Sequence, residues 1–153
     1  MPGEPFVPSD FAVPLALVED RFRLEPLGPQ HNDADYDAWT SSVEHIRTTP
    51  GWETESWPDG RSLEDNLRDL HRHARDFETR AGFTYTVVDP TGAEVIGCVY
   101  IYPDKSGRHD AQVYSWVRAS RPELDLPLWR AVSDWLADAW PFESVAYAAR
   151  TPA

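Results

Sequence analysis

The sequence predicts an α/β domain: a mostly antiparallel sheet flanked by about three helices, with a proline-rich arm in front. Three observations carry this expectation. Phe83 to Arg118 holds three consecutive strand-like segments joined by short polar turns, which read as an antiparallel meander. Segments of helical period lie on both sides of it, and residues 1 to 19 carry Pro2, Pro5, Pro8 and Pro14.

In the arm, Phe6, Phe11, Val13, Leu15 and Leu17 are spaced too irregularly for a helix and are expected to form an extended strap on a domain spanning 20 to 153. Asp20 to Leu27 alternates charged with apolar residues, the pattern of a strand with one wet face, and Gly28-Pro29 ends it. From Asn32 the period becomes helical. Tyr36, Trp39, Val43 and Ile46 align on one face until Pro50-Gly51. Trp52 to Arg61 is a loop with a turn at Trp57-Pro58-Asp59-Gly60, and its two tryptophans read as buried plugs rather than a lid. Ser62-Leu63-Glu64-Asp65 reads as a capping box with Asp in the third helical position. Leu63, Leu67, Leu70, Ala74 and Phe77 follow as the apolar stripe. Glu64–Arg68, Arg72–Asp76 and Asp76–Arg80 are four apart, as ion pairs on a wet helix face would be.

The meander itself comprises Phe83–Val88, a turn at Asp89-Pro90-Thr91-Gly92, Glu94–Tyr102, a polar loop and Asp110–Val117. β-Branched and aromatic residues dominate it, as suits a pleated, half-buried surface. Leu128, Val132, Trp135, Leu136 and Ala139 mark a third helix with Pro127 in its first turn, and Ser144 to Ala149 a last strand. That strand would be an edge, which the arm or a second copy of the chain is expected to cover, so a homodimer is expected.

Composition narrows the function classes. With 26 acidic against 14 basic residues and a formal net charge of −12, neither nucleic acid nor an anionic membrane is an expected partner, since both demand clustered cations. No apolar run approaches the roughly 18 residues of a spanning helix, and the N-terminus lacks the pattern of a signal peptide. One cysteine, Cys98, permits no internal disulfide, so a reducing cytoplasm is the expected location. Cys98 reads as a small core residue. His71 and His73 are two apart on a helix and diverge; His31, His45 and His109 are isolated. No metal-ligand spacing is present and no metal is expected.

The order of elements and their landmarks resemble the GNAT N-acetyltransferase superfamily, in particular its RimJ/RimL-like branch. The resemblance rests on Phe22 to Leu27 as first strand, Trp39 in the first helix, Val95-Ile96-Gly97, and Ala111 to Val117 as fourth strand, and covers about residues 20 to 149. It implies a mixed, mostly antiparallel sheet and transfer of an acetyl group from acetyl-CoA to a small-molecule or N-terminal amine. The cofactor would insert where the fourth and fifth strands part, its pantetheine arm along Trp116 and Val117. Its pyrophosphate would lie at the turn that opens the third helix, beside Arg118, Arg121 and Leu126. In this chain that turn has no glycine: Leu124 and Leu126 stand where glycines are expected, Pro122 and Pro127 remove N–H donors, and Glu123 and Asp125 add negative charge. A GNAT-shaped ligand-binding or non-acetylating protein is therefore the alternative expectation.

Acyl transfer to an amine needs a proton acceptor and a polarised carbonyl. Gln112 stands where the family often has a glutamate and cannot accept a proton, and Asp110, one pleat earlier, is the nearest carboxylate. Asp110, Gln112 and Tyr114 form the candidate catalytic set. Period-two alternation puts Tyr114 and Trp116 on one face of their strand and Tyr100 with Tyr102 on one face of the strand before it; together the four could line a ligand cleft, and Tyr100 and Tyr102 with Trp39 are the candidate substrate-binding residues.

Overall fold

The computed structural model describes residues 5–53 and 61–150. Among them, six strands form one sheet in chain order: β1 (Leu17–Val18), β2 (Arg23–Pro26), β3 (Phe83–Val88), β4 (Val95–Pro103), β5 (Ala111–Val117) and β6 (Val145–Tyr147). β1 to β5 pair antiparallel; only β5 and β6 run parallel. Four helices complete the fold: α1 (Asn32–Thr40), α2 (Val43–Arg47), α3 (Leu63–Thr79) and α4 (Asp125–Ala139). None of them is long and apolar enough to cross a membrane. The expected turn at Trp57 to Gly60 lies outside the described residues.

Period-two alternation sends the sheet's side chains into two cores. On one face Leu24, Tyr85, Val99 and Val113 meet Leu128, Val132 and Leu136 of α4. On the other, Cys98 and Trp116 meet Trp39, Ile46 and Leu70 of the remaining helices. The arm lies on the α4 face: Phe6 stacks on Phe83 and Phe142, and the Tyr85 hydroxyl donates to Pro14 O at 2.7 Å. Its last residues pair as β1 with β2, at the opposite side of the sheet from β6. The arm therefore does not pair with the edge at β6, which is only three residues long, one way natural sheets blunt an edge.

The helix expected from Asn32 onward breaks in two. Apolar spacing continues through Thr40-Ser41-Ser42, but Thr40 Oγ1 donates to Tyr36 O at 2.6 Å and Ser41 Oγ to Asp37 O at 2.8 Å. Such hydroxyls compete with the helical ladder, and Ser42 at φ −132° leaves helical geometry. Its Oγ instead accepts from Ala119 N at 2.9 Å, tying the break to the turn after β5.

The capping box of α3 forms as expected: Asp65 N donates to Ser62 Oγ and Ser62 N to Asp65 Oδ2, both at 3.1 Å. The stripe forms only in its second half: Leu70 is buried and Phe77 packs edge-on against Phe83 and Tyr85, whereas Leu63 and Leu67 are exposed and Asn66 is buried in their place. Nor do the expected four-apart ion pairs form. Arg68 pairs with Asp65, Arg72 lies 3.9 Å from Asp69, and Asp76 accepts from a tyrosine of β4. Arg80 takes the left-handed conformation (φ 66°) that ends the helix, and its guanidinium holds the arm through Pro8 O and Phe11 O.

Candidate functional site

Two spaces flank β5. The first is an open cleft of about 750 Å³ between α3 and the half-buried ends of β4 and β5. Strand register builds its floor: Tyr100 pairs with Tyr114 and Tyr102 with Gln112, so alternation brings all four to one face. Trp52 packs edge-on against Tyr100, with ring centroids 5.7 Å apart. It is buried, a plug as expected. Helical spacing from Leu70 brings His73 and then Asp76 to the same space, and the rim carries Arg61, Arg72 and Lys105. Arg61 is held by Asp69 at 2.6 Å.

A hydrogen-bond chain crosses the cleft wall. The Tyr102 hydroxyl donates to Asp76 Oδ2 at 2.8 Å, and His73 Nδ1 lies 3.0 Å from both the Tyr102 hydroxyl and Thr84 Oγ1. With its proton committed to Asp76, the phenol oxygen is an acceptor toward Nδ1. The network thus assigns the proton to Nδ1 and the lone pair to Nε2. Burial, reinforced by Arg72, pulls the His73 pKa down to about 4 against a partial opposing effect of Asp76, so the ring is neutral at pH 7. Burial pushes the Tyr100 and Tyr102 hydroxyls up, keeping them as proton donors. Gln112 Nε2 donates to the Tyr114 hydroxyl at 2.8 Å, and Trp116 Nε1 to the Tyr100 hydroxyl at 3.1 Å.

The second space is a wedge. β5 and β6 pair at only three positions, the last being Val113 with Tyr147. Beyond it Tyr114 to Val117 continue along β4, while Ala148 to Arg150 leave the ladder. The backbone carbonyl of Ser115, inside the parting, accepts from Trp52 Nε1 at 2.9 Å and from Arg150 Nη2 at 2.8 Å. Arg150 also donates from Nε to Asp125 Oδ2 at 2.8 Å and from Nη1 to Ala148 O at 2.7 Å. The Tyr147 hydroxyl sits 2.6 Å from Ser115 Oγ. Asp125 opens α4, and its Oδ1 is buried with no partner among the described residues.

The structure brings Tyr100, Tyr102, Gln112 and Tyr114 together in the cleft. It places the other sequence candidates elsewhere. Asp110 does not line the cleft: its carboxylate accepts from Glu143 N at 2.7 Å and Ser144 N at 3.3 Å, where β6 begins. Trp39 is buried between α1 and α3, donating to Asn66 Oδ1 at 3.0 Å. Trp116 and Val117 are fully buried. Arg118 is drawn to Val95 O at 3.0 Å and Asp37 at 3.2 Å, and Arg121 to Glu94 at 2.9 Å. Leu126 is half-buried in the first turn of α4. His73, Asp76, Trp52 and Arg150 are the residues sequence reasoning did not select. The signal for His73 was its position three residues after Leu70 on the packed face; for Arg150 there was none. Among the described residues no cluster of His, Cys, Asp or Glu could hold a metal.

No family model and no curated protein matches the chain. Solved structures do. The ribosomal-protein-S5-alanine acetyltransferase from Vibrio fischeri superposes with a TM-score of 0.61 at 15% identity, covering 82% of this chain and 69% of that one. An acetyltransferase that modifies the N-terminal serine of ribosomal protein L7/L12, from Salmonella typhimurium, gives 0.57 at 13%, covering 78% and 65%. The microcin C7 self-immunity acetyltransferase MccE, solved with acetyl-CoA and AMP, gives 0.58 at 11%, covering 78% and 63%. The chain thus spans about two thirds of the length of these structures. The likeness shows the fold alone: the chain has the α/β fold of these GNAT-type acetyltransferase structures.

Proposed function

We propose that this chain is a GNAT-type N-acyltransferase that moves an acetyl group from acetyl-CoA to an amine, either of a small molecule or at a peptide N-terminus. The observation that carries the reading is the parting of β5 from β6 after Val113, beyond which the Ser115 carbonyl is met by side chains rather than by the β6 backbone. The acceptor amine occupies the cleft on the α3 side, where Trp52 reaches both spaces. Its aromatic floor packs the amine's carbon skeleton, and the phenol hydroxyls orient it. The amine enters in its neutral form, and His73 Nε2, kept uncharged by burial, accepts a hydrogen bond from it and aligns its lone pair for attack. The edge at β6 is the surface on which a second copy would pair, and the reading places the protein in the cytoplasm, with no nucleic-acid or membrane partner.

As it stands the wedge does not fit a pantetheine arm, because Arg150 fills it and Asp125 places a carboxylate where a pyrophosphate would sit. That observation favours a second reading, a GNAT-shaped protein that binds a ligand in the cleft and transfers nothing. Isothermal titration with acetyl-CoA and native mass spectrometry of the freshly purified protein decide between them. Bound CoA or measurable heat supports acyl transfer. No heat, no thermal shift and no retained CoA at millimolar cofactor would leave only the ligand-binding reading.

A further inference from the structure

We infer that the cleft on the α3 side takes a small amine that also carries a carboxylate, its apolar body on the tyrosine floor and its carboxylate at the rim formed by Arg72 and Lys105. The inference rests on the reading of this cleft as the amine site. It narrows the occupant from any amine to one that brings its own negative charge.

The charge of the cleft runs against that of the chain. The protein carries a formal net charge of −12, yet the cleft lining holds three cations, Arg61, Arg72 and Lys105, against the carboxylates of Asp69 and Asp76. Both of those acids are already engaged. Asp69 holds Arg61 at 2.6 Å and leaves Arg72 at 3.9 Å. Asp76 accepts from the Tyr102 hydroxyl at 2.8 Å. Asp104, beside Lys105 in the chain, spends its carboxylate on Ser106 N, Ser106 Oγ and His109 N within its own turn. Lys105, the one lysine in the sequence, forms no ion pair among the described residues. Burial is the main reason that His73 stays neutral, but Arg72 acts on the ring more strongly than Asp76 does. The field at the inner wall is therefore positive even beside an acid.

An oxyanion cancels this surplus, and the count selects its kind. One excess positive charge matches a carboxylate at about −1 better than a phosphate group at about −2. The Arg72 guanidinium offers a planar fork to two carboxylate oxygens, and Lys105 adds a flexible point charge. A positive field also disfavours an ammonium, in keeping with an amine that arrives neutral. Arg72 is 57% exposed, so each ion pair at the rim adds little affinity by itself. The rings of the floor supply most of the binding, and the two cations supply the choice between acids and neutral amines. A peptide N-terminus has an amide where a free amino acid has its carboxylate. The rim therefore favours the amino acid.

Isothermal titration of the full chain at pH 8 and low salt, without acetyl-CoA, compares L-phenylalanine with L-phenylalaninamide, a mimic of a peptide N-terminus. Phenylalanine should bind about tenfold tighter than the amide. In the double variant Arg72→Gln, Lys105→Gln that preference should disappear, with affinity for the amide unchanged. Salt at about 0.3 M should weaken the acid and spare the amide. An amide that binds wild type as tightly as the acid, or a preference that survives in the double variant, overturns the proposal and leaves the cleft as an amine site. No heat from either probe overturns the proposal and the amine-site reading together. Should the double variant fail to fold, the comparison of acid with amide on wild type still decides, because it needs no substitution.

Discussion

Replacing Asp35 by asparagine tests how the helical layer over the cleft is held, and its size can be worked from the structure. Asp35 is 4% exposed and accepts from Asn66 Nδ2 at 3.2 Å. Burial raises its pKa from 3.8 to about 6, against smaller lowering effects of Asn66 and His31. The folded protein therefore prefers the protonated acid more than the unfolded chain does. Sign follows from linkage: the preference stabilises fully below pH 3.8 and is lost as pH rises through 6. At neutral pH the ionised form costs at most about 3 kcal/mol, from a shift of roughly two pKa units. Asparagine keeps the acceptor oxygen and removes the charge, but its amide N–H groups need partners, so about half of that, roughly 1.5 kcal/mol, is the expected gain at pH 7.5. Urea unfolding of both proteins at pH 7.5 and pH 4 measures it. His73 works with the opposite sign, since its pKa falls from 6.5 to about 4 and its contribution is lost as pH drops through that window. Both proteins carry His73, so it cancels in the difference. The Asp35→Asn advantage should vanish on acidification and reverse by about 1 kcal/mol at pH 4, where the wild-type acid is protonated in the fold; a variant less stable at pH 7.5, or a gap independent of pH, refutes the reasoning.

Two further substitutions probe the cleft and the sheet. His73→Ala removes the imidazole that would align the amine. If the amine is aligned there, kcat falls about tenfold or more with acetyl-CoA affinity and melting temperature kept, and added imidazole restores part of it; unchanged kcat in His73→Ala takes the residue out of the chemistry. At Gly97 a Cβ would stand 2.0 Å from Trp116 O, a backbone atom that cannot rotate away. Gly97→Ala should therefore cost about 3 kcal/mol or more in chemical denaturation, and a loss below about 1 kcal/mol would show that β4 and β5 can separate at that point.

Sequence patterning reached the sheet more readily than the helices that cover it. The run from Phe83 to Val117 is legible because β-branched and aromatic residues, a Pro/Gly turn and strict alternation all agree. Alternation groups Tyr100 with Tyr102 and Gln112 with Tyr114, and the register of β4 against β5 puts the two pairs on one face. Asp110 obeys that logic only on paper, because β5 starts one residue later and the carboxylate finds free N–H groups at the start of β6. The helices mislead where polar side chains override the apolar count. Ser41 and Ser42 end a helix whose hydrophobic spacing continues, and Asn66 displaces Leu63 and Leu67 from the core because it has partners there. Arg150 was beyond reach for a different reason: its partners, Ser115 and Asp125, stand 35 and 25 residues away.

Asn66 also fixes more than it fills. Its amide donates to Asn32 Oδ1 at 2.8 Å and to Asp35, and its oxygen accepts from Trp39 at 3.0 Å, all three on α1. An oily seam would let α3 slide along α1 by fractions of a turn with little loss of contact. Directional bonds do not, so the lengthwise setting of α3, and with it how far His73 and Asp76 stand from the tyrosines opposite, is dictated by one side chain two turns upstream. A leucine there could preserve burial while leaving the cleft's width undecided.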